Sequence, residues 1–392
     1  MKILHVSTFF EPELGYEEYC TAKEQAKDRH DVHVICTNLR SDRNLKGKDR
    51  YLPLKSKQDS NIIIHRLPCL PELKSEFVIP ITFKKTLNAI NPDIIHAHTA
   101  TQFTSWMAVK YARKNNIPII VDIHGIGWQK KNSIHPMSIV KNTLNIFFHS
   151  LVKSTIIKSN MLVPKAKKLK QLLLSNYNIK ENKILINEIG VDTDVFFKSE
   201  SIRKLTRDKY LITEHDRVLI FFGFIRKEKR LDIILNALSN LPENYKLIIA
   251  GAIDSDVEND NLIKKYMHQL SKRLIVKGSV SQPDLNRLIN ASDLVLWPAN
   301  ISVGILQSSI IGLPSIYPAW AYDFYPISKK AIFSDSKLEF VNKIRTFFDD
   351  KNYYIVESKK AQDYALDRTY KIQSKKLIHL YQNLINEANT NS

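Results

Sequence analysis

Residues 94–123 read IIHAHTATQFTSWMAVKYARKNNIPIIVDI. Two short apolar runs, Ile94–His96 and Ile119–Ile123, stand at its ends, with a helix-length segment, Thr101–Asn115, between them. Short apolar runs spaced by helix-length segments point to a parallel sheet, because parallel neighbours must be joined by a crossover. The alternation continues on both sides. Lys2–Val6, Val32–Cys36 and Ile62–Arg66 precede it, Met161–Val163 and Ile184–Ile186 follow, and Tyr16–Arg29 has a helical pattern. A second series runs through Val218–Phe222, Lys246–Ala250, Leu274–Val276, Leu294–Trp297 and Ser315–Tyr317, with a helix over Leu231–Ser239. The two series break near Phe197–Leu211. The expectation is an α/β fold of two doubly wound parallel-sheet domains, residues 1–200 and 201–365, each sheet covered on both faces. The tail, 366–392, reads as a helix over Leu366–Glu387 that is free to pack back on the first domain. Ligands of such sheets bind beyond the carboxyl ends of the strands, so the expected site is a central cleft that the two domains face.

Composition agrees with this outline. A chain of 392 residues is too long for one ordinary core. At 44% hydrophobic and 25% charged it is globular rather than disordered. No apolar run approaches the roughly 18 residues that span a bilayer. Met1–Val6 has the pattern of a buried strand and is too short for a signal-peptide core. Cys20, Cys36 and Cys69 form neither a disulfide framework nor a metal spacing, which suits a cytoplasmic protein. The net charge of +18 is uneven: Thr101–Asn187 holds fourteen Lys and Arg against two acids, Asp122 and Glu181. Such a surface attracts nucleic acid, anionic lipid or phosphorylated small molecules, or is simply solvated.

The strand ends carry the chemistry. After the first strand comes Phe10-Glu11-Pro12-Glu13-Leu14-Gly15-Tyr16. A glycine just before a helix lets a phosphate or sugar approach the backbone, and it equally suits an ordinary tight turn. Two adjacent strands end in His96-Ala97-His98 and His124-Gly125. Three histidines could ligate a metal, but no cysteine or further carboxylate completes a set, so none is expected. Hydrogen bonding to a polar ligand is the other reading, with His124 best placed and His96 more readily structural. The second series opens with Gly223-Phe224-Ile225-Arg226-Lys227-Glu228-Lys229-Arg230. Arginine and lysine there can clamp a diphosphate. The glycines of a phosphate-binding Walker loop are missing, and a solvated charge run is the alternative.

In order along most of the chain, these stretches resemble the retaining GT-B glycosyltransferases of group 1, also called family 4. Pro12…Gly15 resembles that family's P-x-x-G-G opening, NPDIIHAH its kPDvvHaH block and IIVDIHG its vvtvHg block. IGVDTDVF, FFGFIRKEKRLD, KLIIAG, VKGSVSQPDLNRLINASDLVLWP and GLPSI resemble the later blocks. The resemblance implies two Rossmann-like domains, with the donor mainly on the second and the acceptor mainly on the first. It implies transfer of a sugar from a nucleoside-diphosphate sugar to an acceptor hydroxyl with retention. No metal and no cofactor is implied, since the nucleotide sugar is a substrate, its base UDP or GDP. A glycan or lipid-linked acceptor in cell-surface polysaccharide assembly is implied as well. In this sequence it assigns catalysis to His124, Lys229 and Arg226. Substrate binding falls to Gly15, Tyr16, His98, Gly223, Gly278, Ser302, Val303, Gly304, Ile305 and Gln307.

The chain departs from the family at several of these places. The family's arginine–lysine pair falls on Phe224 and Lys229, with Arg226 as the substitute. The hinge block reads Glu188-Ile189-Gly190-Val191-Asp192. In WPANISVGILQSSIIGLP, residues 297–314, the family's two glutamates fall on Ala299 and Gln307. A helix opening at Ser302 would offer backbone N–H groups to the donor phosphates, and Gln307 would bond the ribose through neutral hydrogen bonds. Asp192-Thr193-Asp194 and Asp254-Ser255-Asp256 imitate a metal-binding D-x-D but lie in the hinge block and in a loop. Ser138–Lys158 sets Ile139, Leu144, Phe147, Phe148, Leu151 and Val152 near one helical face, and Lys165, Lys167, Lys168 and Lys170 follow. That suits peripheral contact with an anionic membrane through 138–170, or packing on its own domain. A non-catalytic nucleotide-sugar-binding scaffold subunit and a nucleotide-sugar epimerase remain as rival readings. No nucleic-acid partner is expected, since no base-stacking or groove-reading motif accompanies the charge.

Overall fold

The computed structural model describes the chain apart from residues 43–44, 55–56, 71–76, 126–137, 254–256, 271, 300, 334–335 and 391–392. It divides into two compact units, Met1–Ile189 with Tyr370–Ser392, and Gly190–Thr369. The sequence break at Phe197–Leu211 therefore lies inside the second unit. Asp254-Ser255-Asp256 falls outside the described residues.

The first unit contains strands β1 (Lys2–Val6), β2 (Asp31–Thr37), β3 (Lys57–Asp59), β4 (Ile62–Leu67), β5 (Ile94–Ala97), β6 (Ile119–Ile123) and β7 (Met161–Pro164). Helices α1 (Glu17–Lys27), α2 (Phe83–Ile90), α3 (Phe103–Lys114), α4 (Ser138–Lys158) and α5 (Lys167–Tyr177) connect them. The sheet order is β3-β4-β2-β1-β5-β6-β7, parallel except for the β3–β4 pair. Its inner strands are apolar runs because both faces are covered; every residue of β6 is buried. The strand order reverses between β1 and β5, which is where ligands of such sheets collect. Ile184–Ile186 does not form a strand. It runs beside β7, with Leu185 N–H bonded to Leu162 O and Asn187 N–H to Pro164 O, but only the Leu162–Ile184 pair forms a bridge.

The second unit opens with α6 (Glu200–Lys209) and holds β8 (Arg217–Phe222), α7 (Leu231–Ser239), β9 (Tyr245–Ala250), α8 (Val257–Gln269), β10 (Leu274–Lys277) and α9 (Gln282–Ala291). It continues through β11 (Leu294–Leu296), α10 (Gly304–Ile310), β12 (Ser315–Pro318), β13 (Ile332–Phe333), α11 (Lys337–Asp349) and α12 (Lys351–Leu366). Its sheet order, β10-β9-β8-β11-β12-β13, reverses between β8 and β11. Both units are thus doubly wound parallel sheets, the Rossmann-like fold expected of them.

Helix α13 (Tyr370–Thr390) ends the chain and belongs to the first unit. It starts four residues later than the sequence suggests. Leu366 instead closes α12, and Arg368 O accepts a hydrogen bond from Val191 N–H. Leu377, Tyr381 and Leu384 of α13 pack on Ile3, Ile94, Ile120 and Val163, one face of strands β1, β5, β6 and β7. Each such buried side chain is worth about 1.5–3 kcal/mol.

Candidate functional site

In the first unit, alternate residues share a face of the sheet. One face therefore reads Ile3 then His5 along β1, Ile94 then His96 and His98 along β5, and Ile120 then Asp122 and His124 along β6. Val163 then Lys165 continues it at β7. The face turns from apolar to polar toward the carboxyl ends of the strands, and the polar end is buried. His98 Nδ1 donates to Asp122 Oδ2 at 2.8 Å, and its Nε2 meets His5 Nδ1 at 2.9 Å. His5 Nε2 faces Gln25 Oε1 of α1 at 2.7 Å, and Gln25 Nε2 donates to Tyr381 OH of α13 at 3.2 Å. Tyr381 OH bonds His96 Nδ1 at 2.7 Å, and His96 Nε2 lies 3.0 Å from Asp122 Oδ2. Lys165 Nζ pairs with Asp122 Oδ1 at 2.7 Å and with Glu17 Oε1.

Burial dominates the electrostatics. It pushes His5 down to about 3, His96 to about 4 and His98 to about 3. It pulls Glu17 up to about 7 against the attraction of Lys165. At Asp122 burial is outweighed by His96 and Lys165, which hold the carboxyl well below its usual range. The nearest nitrogens of His5, His96 and His98 lie within 4.8 Å of one another, as a metal set requires. Five of the six ring nitrogens are hydrogen-bonded to a neighbour, and the sixth, His96 Nε2, lies against Asp122 Oδ2, which fits a hydrogen-bonded core instead.

His98 lies inside this cluster with both nitrogens used, so it is out of reach of a substrate; the inward register of β5 puts it there. Lys165 is likewise not part of an outer basic strip. It is two residues beyond Val163 on the inward face and is the counter-ion of Asp122 and Glu17. His124 stands at the edge of the cluster, its side chain 32% exposed and its Nε2 3.7 Å from Glu17 Oε2. Burial, then the charge of Lys165, pushes its pKa to about 4, so the ring is a neutral imidazole. Gly15 takes the left-handed conformation, φ 59°, that closes the Pro12–Leu14 turn, and exposed Tyr16 caps α1.

The second unit gathers most of its candidate residues at the β8–β11 switch point. Gly223 follows β8, and a Cβ built on it would lie 3.8 Å from Ser302 Oγ. Gly304 opens α10 against the rings of Phe222 and Trp297. Ser302 is not the first helical residue; its Oγ accepts from Gly304 N–H at 3.3 Å, and its carbonyl from Ile305 N–H at 3.1 Å. These two amides are therefore spent within the turn. Val303 is the N-cap, Ile305 is core, and Gln307 is half-buried on the next turn. Arg226 lies 4.6 Å over the ring of Phe224, and Lys229 6.0 Å from that of Trp297. Burial, then the charge of Arg226, lowers the pKa of Lys229. Gly278 is apart from this group, after outer strand β10, where its carbonyl accepts from Gly251 N–H.

A cavity of about 540 Å³ lies at the opposite, amino ends of β8 and β11. Its Arg203 and Arg207 are bonded to Asp293 and to backbone carbonyls, so it reads as a structural network. No helix among the described residues is long and apolar enough to cross a membrane. Of α4, Val152 and Ile156 pack inward while Ile146, Phe147 and Ile157 are exposed; the side chains of Ile139 and Leu144 lie outside the described residues. Sequence reasoning overlooked Glu17, Gln25 and Tyr381 and assigned Lys165 to the basic run. For Glu17 and Lys165 the available signals were the place just past Gly15 and the two-residue period of β7.

Residues 19–195 match the family model described as Glycosyltransferase Family 4, and residues 202–304 match Glycosyl transferases group 1. Among curated proteins, the chain is 22% identical over 237 residues to a D-inositol 3-phosphate glycosyltransferase of Xylanimonas cellulosilytica, covering 58% of this chain and 55% of that protein. Its identity to the protein of the same name from Mycolicibacterium smegmatis is 27% over 154 residues, 38% of this chain and 35% of the other. The chain thus spans about half the length of the curated relatives it matches, or less. Sucrose-phosphate synthase from Thermosynechococcus elongatus has a similar structure, with a TM-score of 0.74 at 13% identity over 98% of this chain and 99% of the other. Anabaena HepE in complex with UDP-glucose gives 0.68 at 17% identity, over 98% and 100%. At these identities the likeness is one of fold.

Proposed function

We propose that this chain, which matches Glycosyltransferase Family 4 along its first part and Glycosyl transferases group 1 along its second, moves a sugar from a nucleoside-diphosphate sugar to an acceptor hydroxyl with retention. The observation that carries this reading is the cationic loop after β8. Phe224, where the family has arginine, supports Arg226 on its ring face, and Lys229 lies beside Trp297, next to the approach of Gly223 on Ser302.

The difficult step breaks the bond between the anomeric carbon and the β-phosphate oxygen. Charge develops on the departing diphosphate, and stabilising it is the main task. Lys229 and Arg226 take that role, with the Ser302 hydroxyl as a further donor and Gln307 on the nucleotide ribose. The acceptor oxygen bonds the anomeric carbon on the face the phosphate leaves, and the leaving phosphate oxygen takes the acceptor proton. No divalent metal enters this scheme. Neutral His124, in the first unit, is assigned to the sugar and acceptor. Exposed Ile146, Phe147 and Ile157 with Lys153 and Lys158 suit a lipid-linked acceptor at an anionic membrane, as in cell-surface glycan assembly. Absence of liposome flotation at low salt would count against that membrane contact.

Anabaena HepE was solved with UDP and with UDP-glucose, so a uridine nucleotide is the first donor to try. Calorimetric titration with UDP and GDP, repeated on Lys229→Ala and Gln307→Ala, tests the donor site. Binding of one nucleotide, weakened in both variants, supports the assignment. Binding of neither means that the replacements at Phe224, Ala299 and Gln307 have dismantled the site, and the scaffold-subunit reading takes over.

A further inference from the structure

Three buried oxygens of the second unit have no hydrogen-bond partner among the described residues: Ser309 Oγ, Ser315 Oγ and Glu357 Oε2. They come from three elements, α10, β12 and α12. All three residues line one small cavity. Their exposure is 0%, 5% and 2%, so bulk water does not reach them. An unpaired buried hydroxyl or carboxylate carries the full cost of leaving water, and three at one place call for a common partner.

Neighbouring groups are already committed. The usual outlet for a serine inside a helix is the carbonyl four residues back. For Ser309 that is Ile305 O, which accepts from Ser308 Oγ at 3.0 Å. Tyr317 OH, on the same cavity wall, donates to Ser328 O and accepts from Ser328 N–H, both at 2.8 Å. Glu357 Oε1 accepts from Lys360 Nζ at 2.8 Å, which leaves Oε2 over.

We propose that one water molecule is bound in this cavity as a fixed part of the fold, bonded to Ser309, Ser315 and Glu357. The space open to it is about 10 Å³, about what a single water requires. Both serine hydroxyls donate to its oxygen, and it donates to Glu357 Oε2. That makes three bonds, the usual count for internal water. The donor set favours water over an ion. An anion would face the carboxylate. A cation is not needed for charge, since Lys360 is the counter-ion of Glu357, and it would leave both hydroxyl protons without an acceptor.

The water acts as a joint. Ser309 lies two residues beyond Gln307 on α10, Ser315 opens β12, and Glu357 is on α12. Next along α12, Ser358 Oγ donates to Gly312 O, just past α10. The water and this direct bond together fasten α10 to α12. None of this depends on which ligand α10 serves.

A high-resolution crystal structure of the full-length protein, repeated on crystals grown in rubidium salt, tests the site. One peak is expected within about 2.6–3.2 Å of all three oxygens, with no anomalous signal from rubidium. The double variant Ser309→Ala with Ser315→Ala removes two of the three partners and should lose the peak. Its ratio of folded to unfolded protein should fall roughly tenfold, because Glu357 Oε2 is then stranded. The opposite sign is diagnostic: if the hydroxyls have no partner in the native state, deleting them removes a penalty and the variant is stabilised. A stabilised or unchanged variant therefore overturns the proposal. So does a structure without the peak, with the three oxygens paired to one another or to backbone. Rubidium at the site overturns it in favour of a cation.

Discussion

Gly304 lies so close to Phe222 that an added methyl group would stand 2.5 Å from Phe222 Cε2 and 3.0 Å from Trp297 Cη2. Two effects oppose each other in Gly304→Ala. Alanine favours a helix over glycine by roughly 0.5–1 kcal/mol, while overpacking typically costs about 1–3 kcal/mol. Both rings are buried, so the overpacking term should win. Denaturant unfolding of the full chain should show a net loss of about 1–2 kcal/mol, with weaker nucleotide binding as the start of α10 is displaced. A stabilised variant would mean that the rings yield freely.

Lys229→Ala should lower turnover about 10²–10³-fold, the usual loss for a group that stabilises departing charge. Donor affinity should fall far less, because the charge appears only in the transition state. Lys229→Arg should recover part of the rate. Steady-state kinetics with the donor found by titration reads both, and unchanged turnover in Lys229→Ala removes this residue from the mechanism.

His124 should stay neutral well below the range where an ordinary histidine, near 6.5, takes its proton, because burial and Lys165 push it to about 4. A ring-resolved NMR titration should show its midpoint there. Removing the charge of Lys165 should move that midpoint upward. A midpoint near 6.5 in the unaltered protein would mean that water reaches the ring.

The sheets were legible because their strands are buried on both faces and read as apolar runs, as Ile119–Ile123 shows. β3 was not, since Lys57-Gln58-Asp59 has no apolar pattern and is held by backbone pairing to Ile62–Ile64. Ile184–Ile186 was misread for the opposite reason: it is apolar and lies along β7, but its two backbone bonds there complete only one bridge, at Ile184. Three of the site histidines stood out at strand ends. Their partners did not, because Gln25 and Tyr381 are 356 positions apart and meet only when α13 docks. Lys165 looked like one member of a lysine run, yet its place two residues past Val163 turns it inward.

Lys165→Met should reveal how the two buried carboxylates depend on one ammonium group. Breaking a buried ion pair by removing one partner typically costs about 3–5 kcal/mol, because the remaining charge stays desolvated. The loss should depend on pH. With the lysine present, Asp122 is held well below its ordinary value, so it contributes stability above the unfolded pKa of about 3.9, lost as the pH falls through the folded value. Without the lysine, burial raises Asp122 and raises Glu17 beyond about 7. A carboxyl with a raised folded pKa is most stable when protonated, and its contribution is lost as the pH rises through that value. The gap between the variant and the unaltered protein should therefore be smaller near pH 5 and widen toward pH 8. Adding Glu17→Gln removes one of the stranded charges, and the double variant should recover part of the loss, a coupling that a double-mutant cycle measures. A gap that does not change with pH would mean that Lys165 acts through packing alone.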